Sequence, residues 1–437
     1  MFQKKKDKHD VESTRTILLM EPDFNQNNKR TGRATMTSAE DHQTLAREQY
    51  GSRKSHSAID HCLNKRLTFD IIRQKRIPGA HLASDAVSCY DRIVHSVASL
   101  AMRAQGVPAG PIVSMFTTLQ EMEHHIRTVY GDSQISFQSK NHRKKIPIQG
   151  VGQGNGAGPQ IWAVVSSPVL EMLRTAGCLC IFRMAITGED VEFVGYAFVD
   201  DTDKVVTSPD PKATYKEVAE QLQRAADTWE GGIRATGGAI GPAKSHYYLL
   251  EFIWKDGNFR YATPTETPTS ISILDKDGIR QNLERIEPDR AQKTLGVYLA
   301  PDGNDKDQFT ALLEKSKAWA DQVRAGHLPR HLVLQSLKQS LWMSLKWPMP
   351  ATCLTEDQIE QIMRPALKVA LPRIGFVPTF PRDLVHATKK YQGLAIPHLF
   401  VHQLATHIQK MLRFCHSSSL TGELLRTSMQ QLKIDLG

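Results

Sequence analysis

The sequence predicts an α+β fold, and three stretches carry that prediction. Between Val194 and Val206 an apolar, β-prone run leads to two adjacent carboxylates and a second β-prone run follows them, which indicates a hairpin. Over residues 81–101 a short strand pattern changes to helical periodicity. Beyond about residue 307 only the helical period remains. We therefore expect a domain boundary near residue 305.

Composition narrows the class of protein. The chain has 437 residues, 40% hydrophobic and 23% charged, which is typical of a soluble globular protein with two or three subdomains. No long apolar window or N-terminal h-region is present, so neither a membrane partner nor a secretory signal is expected. Six scattered cysteines indicate a reducing compartment, and an intracellular location, nuclear or cytoplasmic, is expected. A net charge of +9 favours a polyanionic partner.

The first 80 residues are predicted to contain a short strand, a loop and one helix. Residues 17–20 have the pattern of a short strand ended by Pro22, and residues 26–39 are polar enough to indicate a loop. Ser57 is a candidate N-cap, and Pro78-Gly79 would end the helix that follows it. One face of that helix carries Ile59, Leu63, Leu67 and Ile71.

The remaining elements are predicted from periodicity and turn residues. Strands are expected over 81–87, 247–254 and 293–299, with a hairpin turn at 256–258. A basic, loop-like stretch is expected over Lys140–Lys145. Helices are expected from Tyr90 to Gly106 and over 111–128, 161–173, 211–230, 309–323, 332–345, 359–369 and 399–414.

Asp200 and Asp201 are the first candidate site. Two adjacent carboxylates repel each other and are poor turn chemistry, since tight hairpins favour Asn-Gly or Asp-Gly. A local rule broken without compensation points to function, and Mg²⁺ with its preference for oxygen ligands would compensate the charge. Asp85, at the end of a predicted strand, is a further candidate, whereas Asp91 suits a helix N-terminus. The alternative for the pair is a solvent-exposed acidic turn.

A glycine-rich loop is the second candidate site. Five glycines lie within residues 150–159, immediately before a predicted helix. Glycine lets a backbone approach a ligand closely, and a helix N-terminus favours anions. A P-loop is excluded because no Gly-Lys-Ser/Thr follows, and a flexible linker is the alternative. Cys178 and Cys180 are better explained by strand packing than by a metal site.

Taken in order, these stretches resemble the reverse-transcriptase domain of non-LTR (LINE-type) retrotransposons. The similarity covers about residues 12–300, and Gly158 replaces a serine that is common in the family. The matching stretches are Arg15–Asn25, Tyr50–Ser57, Asp85–Asp91, Gln153–Pro159, Phe198–Asp201, Thr236–Lys244, Leu295–Leu299 and, beyond the core, Gly393–Pro397.

The resemblance implies a right-hand polymerase. Residues 1–80 would form the N-terminal part of the fingers. Residues 81–305 would form a palm with a ferredoxin-like antiparallel sheet and an inserted fingers segment at about 107–150. Residues 306–437 would form a helical thumb and a C-terminal extension.

The resemblance also implies roles for the charged residues. Asp85 and Asp200 would be the main ligands of two Mg²⁺ ions, with Mn²⁺ as an alternative and Asp201 as a secondary ligand. Lys244 would protonate the leaving pyrophosphate. The triphosphate would be bound by Arg15 and Arg53, with Lys54 as an alternative; a solvated surface charge is the other interpretation of each.

Three further residues would contact the nucleotide. The ring of Tyr90 matches the position that excludes a ribose 2′-hydroxyl, although it could be a core aromatic residue instead. Gln153 and Gly154 would line the nucleotide pocket.

The expected activity is RNA-directed DNA polymerisation, with an RNA template, a DNA or RNA primer and dNTPs as partners. An RNA-dependent RNA polymerase is the first alternative; Tyr90 and the Gln-Gly loop argue against it. The second is a decayed element protein that only binds RNA, against which the three aspartates weigh. The sequence leaves the oligomeric state open.

Overall fold

The computed structural model describes residues 2–3, 14–15, 17–138, 148–208, 210 and 213–437. The predicted basic loop Lys140–Lys145 lies outside this part of the chain. The strands are β1 (Phe2–Gln3), β2 (Thr14–Arg15), β3 (Gly79–Asp85), β4 (His124–Thr128), β5 (Gly131–Phe137), β6 (Cys180–Arg183), β7 (Asp190–Phe193), β8 (Gly195–Phe198), β9 (Asp201–Thr207), β10 (His246–Leu250), β11 (Phe252–Lys255), β12 (Asn258–Tyr261), β13 (Ser272–Leu274), β14 (Arg280–Asn282), β15 (Glu284–Arg285), β16 (Gln292–Thr294) and β17 (Val297–Leu299).

Helices make up most of the rest of the described chain. They are α1 (Pro22–Asp41), α2 (Ala58–Lys75), α3 (Cys89–Arg92), α4 (His95–Ala104), α5 (Ala109–Glu121), α6 (Gly158–Thr175), α7 (Tyr215–Ala235), α8 (Lys306–Ala325), α9 (Arg330–Ser336), α10 (Trp342–Lys346), α11 (Glu356–Arg373), α12 (Arg382–His386), α13 (Leu399–Phe414) and α14 (Leu420–Leu436). No helix in these ranges is long and apolar enough to cross a membrane.

A five-stranded sheet lies at the centre of the fold, in the order β15-β10-β3-β9-β8. Strands β10, β3, β9 and β8 are antiparallel, and only β15 runs parallel to its neighbour β10. Along the chain, the elements β3, α6, β8, β9, α7 and β10 form a β-α-β-β-α-β unit. The two central strands β3 and β9 therefore lie side by side, although more than 100 residues separate them.

Both faces of this sheet are buried, because its strands alternate apolar side chains between two layers. Leu82 and Val206 point into a cluster that includes helices α6 and α7. Tyr248 and Val205 point to the other side, into a cluster with residues of α2, β6, β7 and α14. Cys180 belongs to this second layer, so strand packing accounts for it.

The C-terminal helices have a hydrophobic cluster of their own, drawn from residues between Leu312 and Leu399. The last helix, α14, leaves this cluster and packs along α2. The Thr421 Oγ1 atom lies 3.2 Å from the Tyr50 hydroxyl, and Gln431 accepts a 3.0 Å hydrogen bond from Lys75. The end of the described chain thus covers a helix from its first fifth.

The prediction for residues 17–39 is wrong. Residues 17–21 are neither helix nor strand, and Pro22 begins α1 rather than ending a strand. Proline suits the first helical position because its missing N–H has no partner there in any case. The polar composition concealed a helix whose buried face includes small residues. A Cβ added at Gly32 would lie only 3.2 Å from the Ala157 Cα atom.

Other boundaries also need correction. The expected helix from Tyr90 to Gly106 is two helices, α3 and α4, because Ile93 and Val94 are extended and hydrogen-bond to Gly150 and Thr236. The expected helix over 111–128 ends at Glu121 and the β4–β5 hairpin follows.

Two predicted strands are also interrupted. The strand over 247–254 is β10 and β11, separated at Glu251. The strand over 293–299 is the hairpin β16–β17, which turns at Leu295 and Gly296, both with positive φ. The helix after Ser57, the strand at 81, the helix after the glycine loop and the hairpin at Asp200 are confirmed.

Candidate functional site

Two of the predicted aspartates are direct partners across the sheet. Asp85 is the last residue of β3, Asp201 is the first of β9, and the register places them opposite each other. Opposite residues in an antiparallel pair lie on the same face, so their side chains are neighbours. Asp200 lies in the turn between β8 and β9. The structure therefore brings Asp85, Asp200 and Asp201 to one edge of the central strands, all three half-buried.

The carboxylates act on one another electrostatically. The pKa of Asp201 is raised to about 6, first by burial and then by the negative charges of Asp200, Asp203 and, more weakly, Asp85. The nearby Cys89 thiol is held neutral, since burial, with Asp200 next in size, raises its pKa to about 12. The excess of negative charge that the sequence predicted is therefore present in the fold.

Lys244 supplies a cation to this cluster. Its Nζ atom donates a 2.6 Å hydrogen bond to Asp85 Oδ2, although 71% of the lysine side chain is exposed. The turn that carries it, Pro242–Lys244, is held against the end of β3, because the Gly241 N–H donates to the Asp85 carbonyl oxygen at 3.0 Å. Lys244 thus lies beside Asp85, and its role toward a pyrophosphate stays a prediction.

The donor set has the chemistry of a site for a hard divalent cation. Carboxylate oxygens are the ligands that Mg²⁺ prefers, and mutual repulsion raises the affinity of such a cluster for a cation. Within the described ranges, however, no three Asp, Glu, His or Cys side chains are grouped closely enough to hold a metal ion. Asp85 is paired with Lys244 instead. The three carboxylates lie at one edge of the strands, but they do not form a closed metal centre.

Asp201→Asn is expected to stabilise the metal-free protein at neutral pH. A carboxyl whose pKa is raised on folding favours the folded state below its ordinary pKa of 3.8, and that contribution is lost as the pH rises through about 6. The variant should gain about 2 kcal/mol at pH 7.5, allowing for partial solvation. Urea unfolding in EDTA would show that gain shrinking to below about 1 kcal/mol at pH 4. A gain independent of pH would contradict the raised pKa, and exposed Asp321→Asn is the matched control.

Tyr90 lies beside the acidic cluster. Burial, followed by the charges of Cys89 and Asp200, raises the pKa of its hydroxyl, which therefore stays protonated. Its ring would lie 3.7 Å from a Cβ placed on Gly158, and its carbonyl accepts a 2.8 Å hydrogen bond from Val151. The side chain is half-buried against the core, so it packs as a core aromatic and still reaches the site.

The glycine-rich loop is pinned by hydrogen bonds, unlike a flexible linker. The Gln153 carbonyl accepts a 2.6 Å bond from Leu18 N–H, and the Gly154 carbonyl accepts a 3.1 Å bond from the Asn25 amide. Gly154 has φ +115°, and a Cβ there would collide with the Leu18 carbonyl oxygen. Packing therefore explains this glycine on its own, and the roles of Gln153 and Gly154 toward a nucleotide stay predictions.

The three predicted phosphate-binding cations differ in their surroundings. Arg53 is not a solvated surface charge: it donates two 2.7 Å hydrogen bonds to the Glu40 carboxylate and two longer ones to the carbonyls of Ala46 and Gln49. Hydrogen bonding from Arg53 is also the main cause that lowers the pKa of Glu40. Lys54 is exposed. Arg15 lies in β2, and its side chain lies outside the described part of the structure.

A buried charged network behind the site was not predicted. Asp203 lies two residues beyond Asp201, hence on the same face of β9, and its carboxylate contacts His61 at 2.8 Å, Lys65 at 3.2 Å and His81 at 3.1 Å. Burial alone would raise the pKa of Asp203, but Lys65 and the histidines lower it well below its ordinary value. The alternation of β9 was the one available signal, since it places Asp201 and Asp203 together.

The sequence matches no protein-family description and no curated protein. Among solved structures, telomerase from Candida tropicalis in complex with a TWJ fragment of telomeric RNA is 12% identical, with a TM-score of 0.40, covering 94% of this chain and 54% of its own.

Two further telomerase structures are similar to the chain. That of apo telomerase from Candida tropicalis is 11% identical, with a TM-score of 0.33. That of telomerase from Candida albicans, with the same kind of RNA fragment, is 13% identical, with a TM-score of 0.31. The present chain covers 60% and 56% of these two chains, so it spans little more than half the length of each structure.

Proposed function

We propose that the protein is an RNA-directed DNA polymerase of the non-LTR retrotransposon kind, which adds dNTPs to a primer 3′-hydroxyl on an RNA template. One observation carries the proposal. Asp85 and Asp201, separated by more than 100 residues, are partners in the sheet, with Asp200 in the adjoining turn. The resemblance to a polymerase requires Asp85 to lie beside the Asp200-Asp201 turn. An acidic turn that was merely exposed to solvent would not require it.

Each part of the fold would then correspond to one part of a right-hand polymerase. The β-α-β-β-α-β sheet is the ferredoxin-like palm, within residues 81–305. Residues 1–80 and the segment at about 107–150 belong to the fingers. The helices from α8 onward are the thumb and its C-terminal extension.

Asp85 and Asp200 would hold two Mg²⁺ ions, or Mn²⁺, with Asp201 as the supporting ligand. Bound there, the ions would activate the primer 3′-hydroxyl and stabilise the charge on the pyrophosphate. Asp85 would hold a metal ion through Oδ1 while Oδ2 accepts the bond from Lys244, or through both oxygens after release by Lys244. Since 71% of the Lys244 side chain is exposed, the ammonium group is free to turn toward a triphosphate and donate a proton to the pyrophosphate oxygen.

The remaining predicted residues would select and orient the nucleotide. Tyr90, fixed by its packing beside Asp200, would block a ribose 2′-hydroxyl. Gln153 and Gly154 would line the base-pair side of the pocket. Lys54 and Arg15 would contact the triphosphate directly, and Arg53 would do so after exchanging part of its bond to Glu40.

The test is primer extension by the purified chain, with a DNA primer on an RNA template and with dNTPs or rNTPs. We expect Mg²⁺-dependent extension with dNTPs, at least about 100-fold more efficient than with rNTPs because the Tyr90 ring excludes the 2′-hydroxyl. An excess of EDTA should abolish it. Preference for rNTPs would replace the proposal with an RNA-dependent RNA polymerase. RNA binding without extension of either kind would replace it with a binding protein.

A further inference from the structure

The turn that carries Asp200 has an unusual backbone. Val199, the residue before Asp200, has φ +59°. A branched Cβ is strongly disfavoured in that left-handed region, and such a conformation persists only when surrounding contacts impose it. The contacts that hold Val199 therefore also determine where the Asp200 carboxylate lies.

One of these contacts comes from α6. The indole Nε1–H of Trp162 donates a 2.5 Å hydrogen bond to the Val199 carbonyl oxygen. Trp162 is itself fixed, because only 1% of it is exposed and its ring belongs to the core on the α6 side of the sheet. The carbonyl it binds belongs to the peptide unit that leads directly into Asp200.

The second contact comes from the segment of chain before α2. The segment Glu48–Gly51 runs beside β8: Ala197 N–H donates to the Glu48 carbonyl at 2.9 Å, and Tyr50 N–H donates to the Ala197 carbonyl at 2.7 Å. A Cβ on Gly51 would lie 2.7 Å from the Val199 nitrogen. The Trp162 indole thus binds the Val199 carbonyl oxygen, and the Gly51 backbone packs close to the Val199 nitrogen.

We propose that Trp162 is a positioning residue for the acidic turn, and that its N–H donor holds the Val199 peptide so that Asp200 and Asp201 face Asp85. The inference rests on the proposed function for its catalytic consequence, but not for its effect on the carboxylates. Nothing in the sequence singled out Trp162, which reads as one more apolar residue of a core helix.

Trp162→Phe separates the hydrogen bond from ring packing, because phenylalanine keeps an aromatic ring and lacks the donor. We expect kcat for primer extension to fall about 10- to 100-fold, with KM for dNTP changed less than about 3-fold, since the fault lies in the placement of the acidic turn. Mn²⁺ affinity, measured by electron paramagnetic resonance without nucleic acid, should weaken about 10-fold.

Trp319→Phe is the matched control. Trp319 is also buried, and its indole donates a 2.9 Å bond to Ser336, but it belongs to the cluster of C-terminal helices. It should leave kcat and Mn²⁺ affinity within about 2-fold of wild type. Equal losses in both variants would assign the effect to general loss of packing and overturn the inference.

Gly51→Ala provides an independent variant should Trp162→Phe fail to fold. Its added methyl would press on the Val199 nitrogen, and the same fall in kcat and in Mn²⁺ affinity is expected. Wild-type Mn²⁺ affinity in folded Trp162→Phe, or in folded Gly51→Ala, would overturn the inference whatever the activity. If the wild-type protein does not extend a primer but binds Mn²⁺ in a way that depends on Trp162, only the proposed function is overturned. If the wild-type protein binds no Mn²⁺, both the proposed function and this inference are overturned.

Discussion

Asp200→Ala is expected to reduce Mg²⁺-dependent primer extension by at least about 10³-fold, equivalent to about 4 kcal/mol of transition-state stabilisation. Asp200 is the carboxylate proposed to hold a metal ion together with Asp85, and Asp201 is its neighbour in the same turn. Asp201 is half-buried with a raised pKa, which makes it a weaker substitute. Extension should be measured with saturating dNTPs over a range of Mg²⁺ concentrations.

Loss of activity in this variant can be separated from loss of fold. The charge of Asp200 raises the pKa of Asp201, so removing it should leave the free energy of unfolding unchanged or higher at pH 7.5. Asp321→Ala, on the exposed surface of α8, is the matched control and should retain full extension. Primer extension that persists in Asp200→Ala would refute the assignment of Asp200 to the metal site. An unfolded Asp200→Ala would contradict the predicted effect of the Asp200 charge on stability.

Asp203→Ala is expected to lower the free energy of unfolding by about 3–5 kcal/mol. The substitution leaves the Lys65 ammonium group almost fully buried, still with its 2.8 Å hydrogen bond to Thr294 but without the carboxylate that offsets its charge. His61 loses its acceptor as well. A buried charge without its partner is far costlier than a lost surface pair, because desolvation is no longer offset. Urea unfolding at pH 7.5 measures the difference.

Asp227→Ala serves as the control for that measurement. Asp227 pairs with Arg280 at 3.0 Å, but both side chains are close to half exposed, so the loss should stay below about 1 kcal/mol. A second comparison is Asp203→Leu with Lys65→Met, which removes both charges and should recover more than half of the loss. A loss from Asp203→Ala no larger than that from the control would show that water reaches the network.

The candidate residues that could be predicted are those whose local sequence is unusual. Asp200 and Asp201 violate turn preferences, and Asp85 ends an apolar strand, so each carries a local signal. Their meeting in space follows from the pairing of β3 with β9, which required the resemblance as a guide to topology. Lys244 reaches Asp85 through a 3₁₀ turn whose position no periodicity indicates.

Helix α1 was not predictable from polarity. Its buried face carries Met36 and Ala39, but Asn28, Gly32 and Thr35 outnumber them, and these small or polar residues allow close approach to α6 while obscuring the apolar stripe. Arg53 was predicted to bind a triphosphate, with a solvated surface charge as the alternative. Its ion pair was not foreseen, because its partner, Glu40, lies in this unpredicted helix.

The buried network was missed for a different reason. The apolar stripe on α2 is real, but residues on the opposite face, including Lys65 and His61, are also buried because β9 lies there. A lysine on a helix normally indicates solvent, and only the contact with Asp203 from a distant strand reverses that expectation. Whether such a charged residue is buried depends on the partner it meets in the fold, which the sequence pattern does not reveal.

The docking of α14 on α2 has a consequence for the order in which the protein is made. Thr421 and Tyr50 meet across 371 residues of chain, a separation that ribosomes translating about 5–20 residues per second cover in roughly 20 to 75 s. During that interval the apolar surface of α2 that receives Leu420 and Leu424 has no cover from its native partner. Because such distant contacts are slow to close, the newly made N-terminal region stays exposed to aggregation and to chaperones until α14 has been translated.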